Sequence, residues 1–153
     1  MTISSEDLHG IRNFQAIGER IGTSGMPSLE QFSLIANAGY QVVINLAAPE
    51  PEHVHLNESE IVSSLGMGYI WIPVIWAAPQ QEDLRLFFQA MDDHKQERVF
   101  VHCVANYRAS VFVALYRILR LEESPDLAMA DLKRIWNPEG VWVKFIQDAL
   151  SAS

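Results

Sequence analysis

Residues 98–110 read RVFVHCVANYRAS, and this stretch decides the fold because it predicts a strand, a loop and a helix in direct succession. The apolar run over 98–102 has the length and composition of a strand buried in a parallel sheet. A helix is predicted from residue 109 or 110 to about 121. Cys103, the only cysteine of the chain, is therefore expected where the chain leaves the strand.

Outward from this stretch, apolar runs of strand length alternate with helical patterns, which is typical of βαβ units around a mostly parallel sheet. The predicted strands cover 16–23, 41–46, 69–74 and 98–102. The predicted helices cover 28–38, 57–65, 81–94, 109–121, a segment that begins near 124, and 141–150. We therefore expect a three-layer α/β fold, with a central sheet of about four or five strands flanked by helices. Because no repeat or long linker interrupts it, the chain 1–153 is expected to form one domain.

The composition narrows the classes of partner. The formal net charge is −8 and no cluster of Lys and Arg occurs, so nucleic acid and anionic membranes are not expected as partners. No apolar run approaches the roughly 20 residues that span a bilayer. The first residues lack the pattern of a secretory signal, which predicts a cytoplasmic location. A single cysteine leaves no internal disulfide and no cysteine-based metal cage.

The loop after the buried strand has the chemistry of an anion site. Ligand sites in open α/β sheets gather at the carboxyl ends of the strands. Successive backbone N–H groups that lead into a helix N-terminus form a nest for anions, and they also stabilise a thiolate. Arg108 ends the loop with a planar guanidinium that can bind two oxygens of an oxyanion. The predicted anion-binding loop comprises Val104, Ala105, Asn106, Tyr107, Arg108 and Ala109.

The series His102, Cys103, Arg108 and Ser110 resembles the signature loop of protein tyrosine and dual-specificity phosphatases, which is His-Cys, five residues, Arg, then Ser or Thr. The wider chain is similar to a bacterial tyrosine-phosphatase-like domain family, some members of which are fused to metallo-β-lactamase-fold hydrolases. Besides the loop, the matching segments are 21–28, 43–46 and 68–74. The resemblance covers about residues 8–120, and helices are expected over 124–151.

The resemblance implies a role for each residue of the loop. Cys103 is expected to be the nucleophile, Arg108 the oxyanion clamp, His102 a support for the loop, and Ser110 the hydroxyl that assists departure of the thiolate. The implied reaction is hydrolysis of a phosphate monoester through a cysteinyl-phosphate intermediate. The expected partner is a small phosphorylated substrate or a phosphate- or sulfate-like anion. No metal or organic cofactor is expected.

Two positions depart from the phosphatase pattern. Four residues separate Cys103 from Arg108, so either the loop is one residue short or Ala109 has replaced the arginine. Asn106 stands near the place of the usual glycine, and asparagine is the best alternative there because it tolerates a positive φ.

The general acid is the second departure. In phosphatases an Asp after the strand that ends at 74 protonates the leaving group, but here that position holds Trp76, which is expected to form a wall of the pocket. Glu82 or Asp83 could supply the acid. The alternative reading, that both are first-turn acids of a helix, is slightly favoured.

Other interpretations stay open. The four-residue loop resembles that of rhodanese-type sulfurtransferases, in which Cys103 would carry a persulfide. A phosphate-binding module without turnover is a third class. His53 and His55 lie among Glu50, Glu52 and Glu58, a set that could hold Zn²⁺, but a solvated loop is the favoured reading, and no metal site is predicted.

Overall fold

The computed structural model describes residues 5–49 and 57–152 of the chain, with side chains described from residue 8 onward. A short 3-10 helix at Ser5–Gly10 precedes five strands and six α-helices in these ranges. In chain order they are β1 (Gln15–Ile17), β2 (Ile21–Ser24), α1 (Gln31–Asn37), β3 (Val42–Ala47), α2 (Glu58–Ser64), β4 (Gly68–Val74), α3 (Gln81–Asp93), β5 (Val99–His102), α4 (Tyr107–Leu119), α5 (Pro125–Ile135) and α6 (Val141–Ser151). The expected α/β class, with a mostly parallel sheet flanked by helices, is confirmed.

The sheet has the order β1-β2-β5-β3-β4, with β5 at its centre. β2, β5, β3 and β4 are parallel, and β1 pairs with β2 in the antiparallel direction. The single strand expected over 16–23 is therefore wrong. Gly18 takes a positive φ of 63° in the turn between β1 and β2, a conformation that glycine adopts without a steric penalty, and the chain reverses there.

Helix α1 begins at Gln31, three residues after the predicted N-cap Ser28, but the predicted bonds between Ser28 and Gln31 do form just ahead of it. The Ser28 hydroxyl accepts a hydrogen bond from the Gln31 backbone N–H at 3.2 Å, and the Gln31 side chain accepts one from the Ser28 N–H at 2.8 Å. These reciprocal bonds are the capping box that the serine and glutamine spacing predicts, and they satisfy donors that an uncapped helix start leaves unpaired.

The central strand separates two apolar cores because successive side chains of a strand point to opposite faces. Val99, Val101 and Cys103 belong to the larger core, beneath α3, α4, α5 and α6. Phe100 belongs to the smaller core, beneath the 3-10 helix, α1 and α2. Within the described ranges, no helix has the length and apolarity needed to cross a membrane.

Helix α4 begins at Tyr107, two residues before the earliest predicted start. Asn106 precedes it in the left-handed conformation, with a φ of 68°, as its place in the loop predicts. The C-terminal helices α5 and α6 pack against α4, with Phe112 of α4 stacked on Phe145 of α6 at 5.6 Å between ring centroids. The loop that carries the cysteine is thus held between the sheet and a buried helix.

Candidate active site

Cys103 follows the last residue of β5 and lies beside the first turn of α4. Its sulfur accepts a hydrogen bond from the backbone N–H of Ala109 at 3.5 Å, and its own N–H donates to the Ser24 carbonyl at 3.3 Å. Ala109 is the third residue of the helix, so its N–H has no partner within the helix and carries part of the positive end of the helix dipole. The cysteine side chain is only 1% exposed but lines an open pocket.

The loop backbone is fixed by segments that lie outside the pocket. The Val104 carbonyl accepts from the Met26 N–H at 2.9 Å, and the Ala105 carbonyl accepts from the Asn13 side chain, also at 2.9 Å. In a planar trans peptide the carbonyl and the following N–H point in opposite directions. The Ala105 N–H therefore points away from Met26.

Asn106 holds the loop in place through its side chain. Its amide nitrogen donates to the Asn13 carbonyl at 2.8 Å and to the Thr23 hydroxyl at 3.0 Å. Gly25 allows the loop to lie this close to β2, since a Cβ at that position would be 2.5 Å from the Val104 carbonyl oxygen. The segment 21–28, which the family resemblance singled out, thus supports the back of the loop.

Arg108 contributes to the same pocket as Cys103. Its side chain is 4% exposed, and its Nη1 donates to the Val74 carbonyl, at the end of β4, at 2.8 Å. If Ala109 had replaced the arginine of the loop, Arg108 would not be expected to line the pocket. In the structure Arg108 does line it, and Ala109 provides a backbone N–H while its side chain packs in the core. The pocket has a volume of about 380 Å³ and is lined by Trp76, Cys103, Val104, Ala105, Tyr107 and Arg108.

Trp76 forms a wall of this pocket and is 42% exposed. Its ring packs at centroid distances of 5.4 Å from both Trp136 and Trp142, and 6.1 Å from Tyr107. Trp142 also donates its indole N–H to the Trp76 carbonyl at 3.0 Å. The sequence did not place Trp136 and Trp142 near the site, because both lie in C-terminal segments whose packing no local pattern indicates.

Ser110 does not face the sulfur in the described structure. Its hydroxyl donates to the Tyr107 carbonyl at 3.0 Å and accepts from the Trp136 indole N–H at 3.2 Å. The small cavity that it lines is shared with Gln15 and Arg117 rather than with Cys103. The expected role in thiolate departure therefore requires a rearrangement of this side chain.

Glu82 and Asp83 lie in the first turn of α3, and neither lines the cysteine pocket. Glu82 pairs with Arg85, which lowers the pKa of the Glu82 carboxyl. Asp83 accepts from the Gln80 N–H at 3.1 Å in a capping box, and partial burial raises the pKa of Asp83. The observed contacts are those of first-turn helix acids. Among the described residues that line the pocket, none is a carboxylate.

His102 lies on the opposite face of the sheet from Cys103. Its Nε2 is 2.7 Å from a carboxylate oxygen of Glu58, and its Nδ1 is 3.2 Å from the Cys103 carbonyl oxygen. Glu58 is 3% exposed and His102 is fully buried. The expectation of a solvated loop is wrong for Glu58, because α2 carries it into the protein beneath the sheet. Glu50, Glu52, His53 and His55 lie outside the described residues, and the described part of the chain contains no cluster suited to a metal ion.

Two further side chains complete this buried network. Tyr69 hydrogen-bonds Glu58 through its hydroxyl, and Asn45 donates its amide N–H to the same hydroxyl at 3.0 Å. Burial raises the pKa of Tyr69 far above the ordinary value, so the phenol stays protonated. The sequence did not indicate that Glu58, Tyr69 and Asn45 meet, since they lie on three different elements.

A cysteine loop that joins the central strand of a mostly parallel sheet to a buried helix is the arrangement of the tyrosine-phosphatase-like domains. Residues 14–140 match the family described as "DSP-PTPase phosphatase fused to NAD+ Kinase", and the chain belongs to this family. The family resemblance expected from the sequence is confirmed.

Relatives with known sequences and structures agree with this assignment. The chain is 31% identical over 107 residues to the "Beta-lactamase hydrolase-like protein" of Xylella fastidiosa (strain Temecula1 / ATCC 700964), over 67% of this chain and 24% of the relative. The chain thus spans about a quarter of that protein's length.

Two solved structures have the same fold. A crystal structure of a "Putative phosphatase (DUF442)" from Shewanella putrefaciens CN-32 superposes with a TM-score of 0.87 at 37% identity, over 97% of this chain and 98% of that one. The structure of PTPMT1 in complex with PI(5)P superposes with a TM-score of 0.76 at 17% identity, over 91% of this chain and 95% of that one, which shows a shared fold.

Proposed function

We propose that this protein is a cysteine-dependent phosphatase that hydrolyses phosphate monoesters through a cysteinyl-phosphate intermediate. The observation that carries the proposal is that Cys103 and Arg108 line one pocket, at the N-terminus of α4. The Ala109 N–H on the sulfur stabilises the thiolate, and the guanidinium suits the doubly charged oxyanion of a phosphate ester. The PI(5)P complex of PTPMT1 supports a phosphate-bearing ligand for this fold.

The reaction proceeds in two displacements. The Cys103 thiolate attacks phosphorus, a sulfur–phosphorus bond forms, and the bond to the leaving oxygen breaks. Water then attacks the cysteinyl phosphate, the sulfur–phosphorus bond breaks, and inorganic phosphate leaves with the thiolate restored. Loop amides and Arg108 hold the equatorial oxygens in both steps. Since no described carboxylate lines the pocket, an acidic phenol, which departs unprotonated, is the substrate of choice for an assay.

A sulfurtransferase is the second candidate, and the length of the loop favours it. Arg108 reaches the pocket with only four residues between it and Cys103, as in rhodanese-type loops. In that reaction the thiolate attacks the outer sulfur of thiosulfate, the sulfur–sulfur bond breaks and sulfite leaves. Cyanide then removes the outer sulfur of the Cys103 persulfide as thiocyanate, which restores the thiolate. This chemistry needs no acid for the leaving group.

One pair of assays on the purified protein separates these functions. The phosphatase proposal predicts release of p-nitrophenol from p-nitrophenyl phosphate, abolished by Cys103→Ser and unchanged by Glu123→Gln, a substitution in the connection between α4 and α5. Thiocyanate formation from thiosulfate and cyanide without phosphatase activity would assign the sulfurtransferase instead. Binding of inorganic phosphate without either turnover would indicate a non-catalytic anion-binding module and overturn the enzymatic proposal.

A further inference from the structure

The hydroxyl of Ser110 is engaged by groups other than the cysteine. A hydroxyl has one hydrogen, and Ser110 donates it to the Tyr107 carbonyl at 3.0 Å. The Ser110 oxygen accepts the indole N–H of Trp136 at 3.2 Å. The same indole N–H also donates to the Tyr107 carbonyl at 3.0 Å. The serine, the carbonyl and the indole thus form a closed set of hydrogen bonds at the start of α4, and the Cys103 sulfur is not part of it.

Trp136 is itself held in place by the aromatic rings around it. Its ring stacks on Tyr107, with 4.7 Å between the centroids and 6° between the planes. It also packs at 5.4 Å from Trp76 and at 6.2 Å from Trp142. Because the ring is fixed and an indole nitrogen only donates, the position of its N–H determines which oxygen atoms it pairs with. Trp136 therefore favours the observed rotamer of Ser110 over the others.

A second hydrogen-bond donor on the sulfur would change the chemistry of the cysteine. Among the described residues, the one group that donates to Cys103 Sγ is the Ala109 N–H, at 3.5 Å. Ser110 is the next residue in the chain, and rotation about its χ1 angle moves the hydroxyl between staggered positions around Cβ. A hydroxyl that donates to a thiolate stabilises the negative charge, which makes the sulfur a better leaving group from phosphorus.

We propose that Trp136 is a positioning residue that withholds the Ser110 hydroxyl from the Cys103 sulfur and thereby slows breakdown of the cysteinyl phosphate. The inference rests on the proposed function, since it concerns the second displacement. In that step water attacks phosphorus, and both electrons of the sulfur–phosphorus bond go to the sulfur. A Ser110 hydroxyl released from Trp136 would donate a hydrogen bond to the departing thiolate and keep its own proton.

The first test leaves Trp136 unaltered and asks whether Ser110 assists the sulfur. Rapid mixing with p-nitrophenyl phosphate should give a burst of p-nitrophenol, because the second displacement is the slow one. Ser110→Ala should change the rate of phosphoenzyme breakdown by less than about twofold, since the hydroxyl is held elsewhere. The absence of a burst, or a much slower breakdown in Ser110→Ala, would overturn the proposal. This test does not depend on the folding of any Trp136 variant.

The second test removes the indole N–H in Trp136→Phe, which keeps an aromatic ring against Tyr107. We expect the phosphoenzyme to break down about two- to tenfold faster, as the loss of one hydrogen bond allows. Adding Ser110→Ala to the same protein should abolish the gain. A purely structural role for Trp136 predicts a slower reaction instead. Unchanged or slower breakdown in folded Trp136→Phe, or a gain that persists with Ser110→Ala, would contradict the proposal.

Trp71→Phe is the matched control. Trp71 also donates its indole N–H to a backbone carbonyl, that of Ala47 at 2.8 Å, but it does not line the pocket. This substitution removes the same chemical group from a site without contact to Ser110. The rate of phosphoenzyme breakdown should therefore equal that of the unaltered protein.

Alkylation of Cys103 by iodoacetamide separates this inference from the phosphatase proposal, because it requires no turnover. Only the thiolate reacts, so the rate at pH 7 relative to the alkaline plateau should rise about two- to tenfold in Trp136→Phe. Adding Ser110→Ala should reverse the rise. This result in a protein that hydrolyses no phosphate ester would keep the positioning role and remove the phosphatase assignment. Equal ratios in Trp136→Phe and in Trp71→Phe would overturn the inference.

Discussion

His102 and Cys103 are neighbours in the chain, but they lie on opposite faces of the sheet and meet opposite environments. Cys103 opens onto a pocket whose wall is formed by Trp76 and whose floor carries Arg108. His102 faces inward, fully buried, and its ring nitrogens contact Glu58 and the Cys103 carbonyl. Because side chains alternate along a strand, the two residues of this motif lie on different faces of the sheet. We call the side of Cys103 and its pocket the open face, and the side of His102 and Glu58 the sealed face.

Substitutions on the two faces should therefore have different consequences. On the open face, side chains meet solvent and ligand, so their removal should reduce turnover more than stability. On the sealed face, polar side chains are buried away from water and depend on one another for hydrogen bonds, so removal of one of them should reduce stability first. The following changes test this division.

The largest expected effect is on the sealed face. Glu58→Ala leaves the buried side chains of His102 and Tyr69 without their carboxylate partner, and each buried polar group left without a hydrogen bond costs about 1–3 kcal/mol. Urea unfolding followed by circular dichroism should show this loss. Glu123→Ala, which removes a half-exposed partner of Arg117, should cost about 1 kcal/mol or less. Equal losses of unfolding free energy in Glu58→Ala and Glu123→Ala would contradict this expectation.

On the open face, Arg108→Ala should lower kcat for p-nitrophenyl phosphate by about 100- to 1,000-fold, since it removes an oxyanion donor from the pocket. Arg108→Lys should recover little of this activity, because an ammonium cannot bind two oxygens in one plane. The exposed Arg120 provides the control, and Arg120→Ala should keep normal turnover. Near-normal activity in Arg108→Lys would show that only the charge matters.

Trp76→Ala removes the aromatic side chain that forms the pocket wall. Loss of an aromatic contact of about 0.5–1.5 kcal/mol should raise KM for an aryl phosphate roughly 2- to 12-fold and leave KM for a small aliphatic phosphate unchanged. Trp71→Ala is the matched control, since Trp71 is similarly exposed but does not line the pocket. A parallel rise in KM for both substrates would argue against a stacking role.

The smallest expected effect is the change in the free energy of unfolding at alkaline pH, which depends on Tyr69 of the sealed face. Burial raises the pKa of Tyr69 above its ordinary value near 10. A group with a raised folded-state pKa contributes stability that is fully present below the unfolded value and is lost as pH rises further. The free energy of unfolding should therefore fall above about pH 10. The fall should be shallower in Tyr69→Phe, although Tyr40 and Tyr116, whose pKa values are also raised by burial, will keep part of it.

Urea titrations at several pH values between 9 and 11, each within about half a unit of the next, check this expectation. An identical alkaline slope in the unaltered protein and in Tyr69→Phe would show that the phenol does not contribute.

The sequence predicts the strand, loop and helix around Cys103 well because these elements are local and their signals are strong. An apolar run predicts β5. Asn106 indicates the bend after it, because asparagine tolerates a positive φ. Glu58 could not be found in this way. Glu58 lies 44 residues before His102, so no local pattern connects the two. An acidic residue near the start of a helix is also normally expected to be exposed to solvent. Likewise, the direction of the Ser110 hydroxyl depends on Trp136, which no local pattern places there.

The central claim is that the Cys103 sulfur attacks phosphorus in this pocket. Rapid acid quenching during turnover of p-nitrophenyl phosphate, followed by mass spectrometry of the intact protein and of its peptides, tests it most directly. We expect that a fraction of the protein gains the mass of one phosphoryl group, located on Cys103 and absent in Cys103→Ser. Phosphate release that continues in Cys103→Ser, with no phosphorylated cysteine in the unaltered protein, would contradict it.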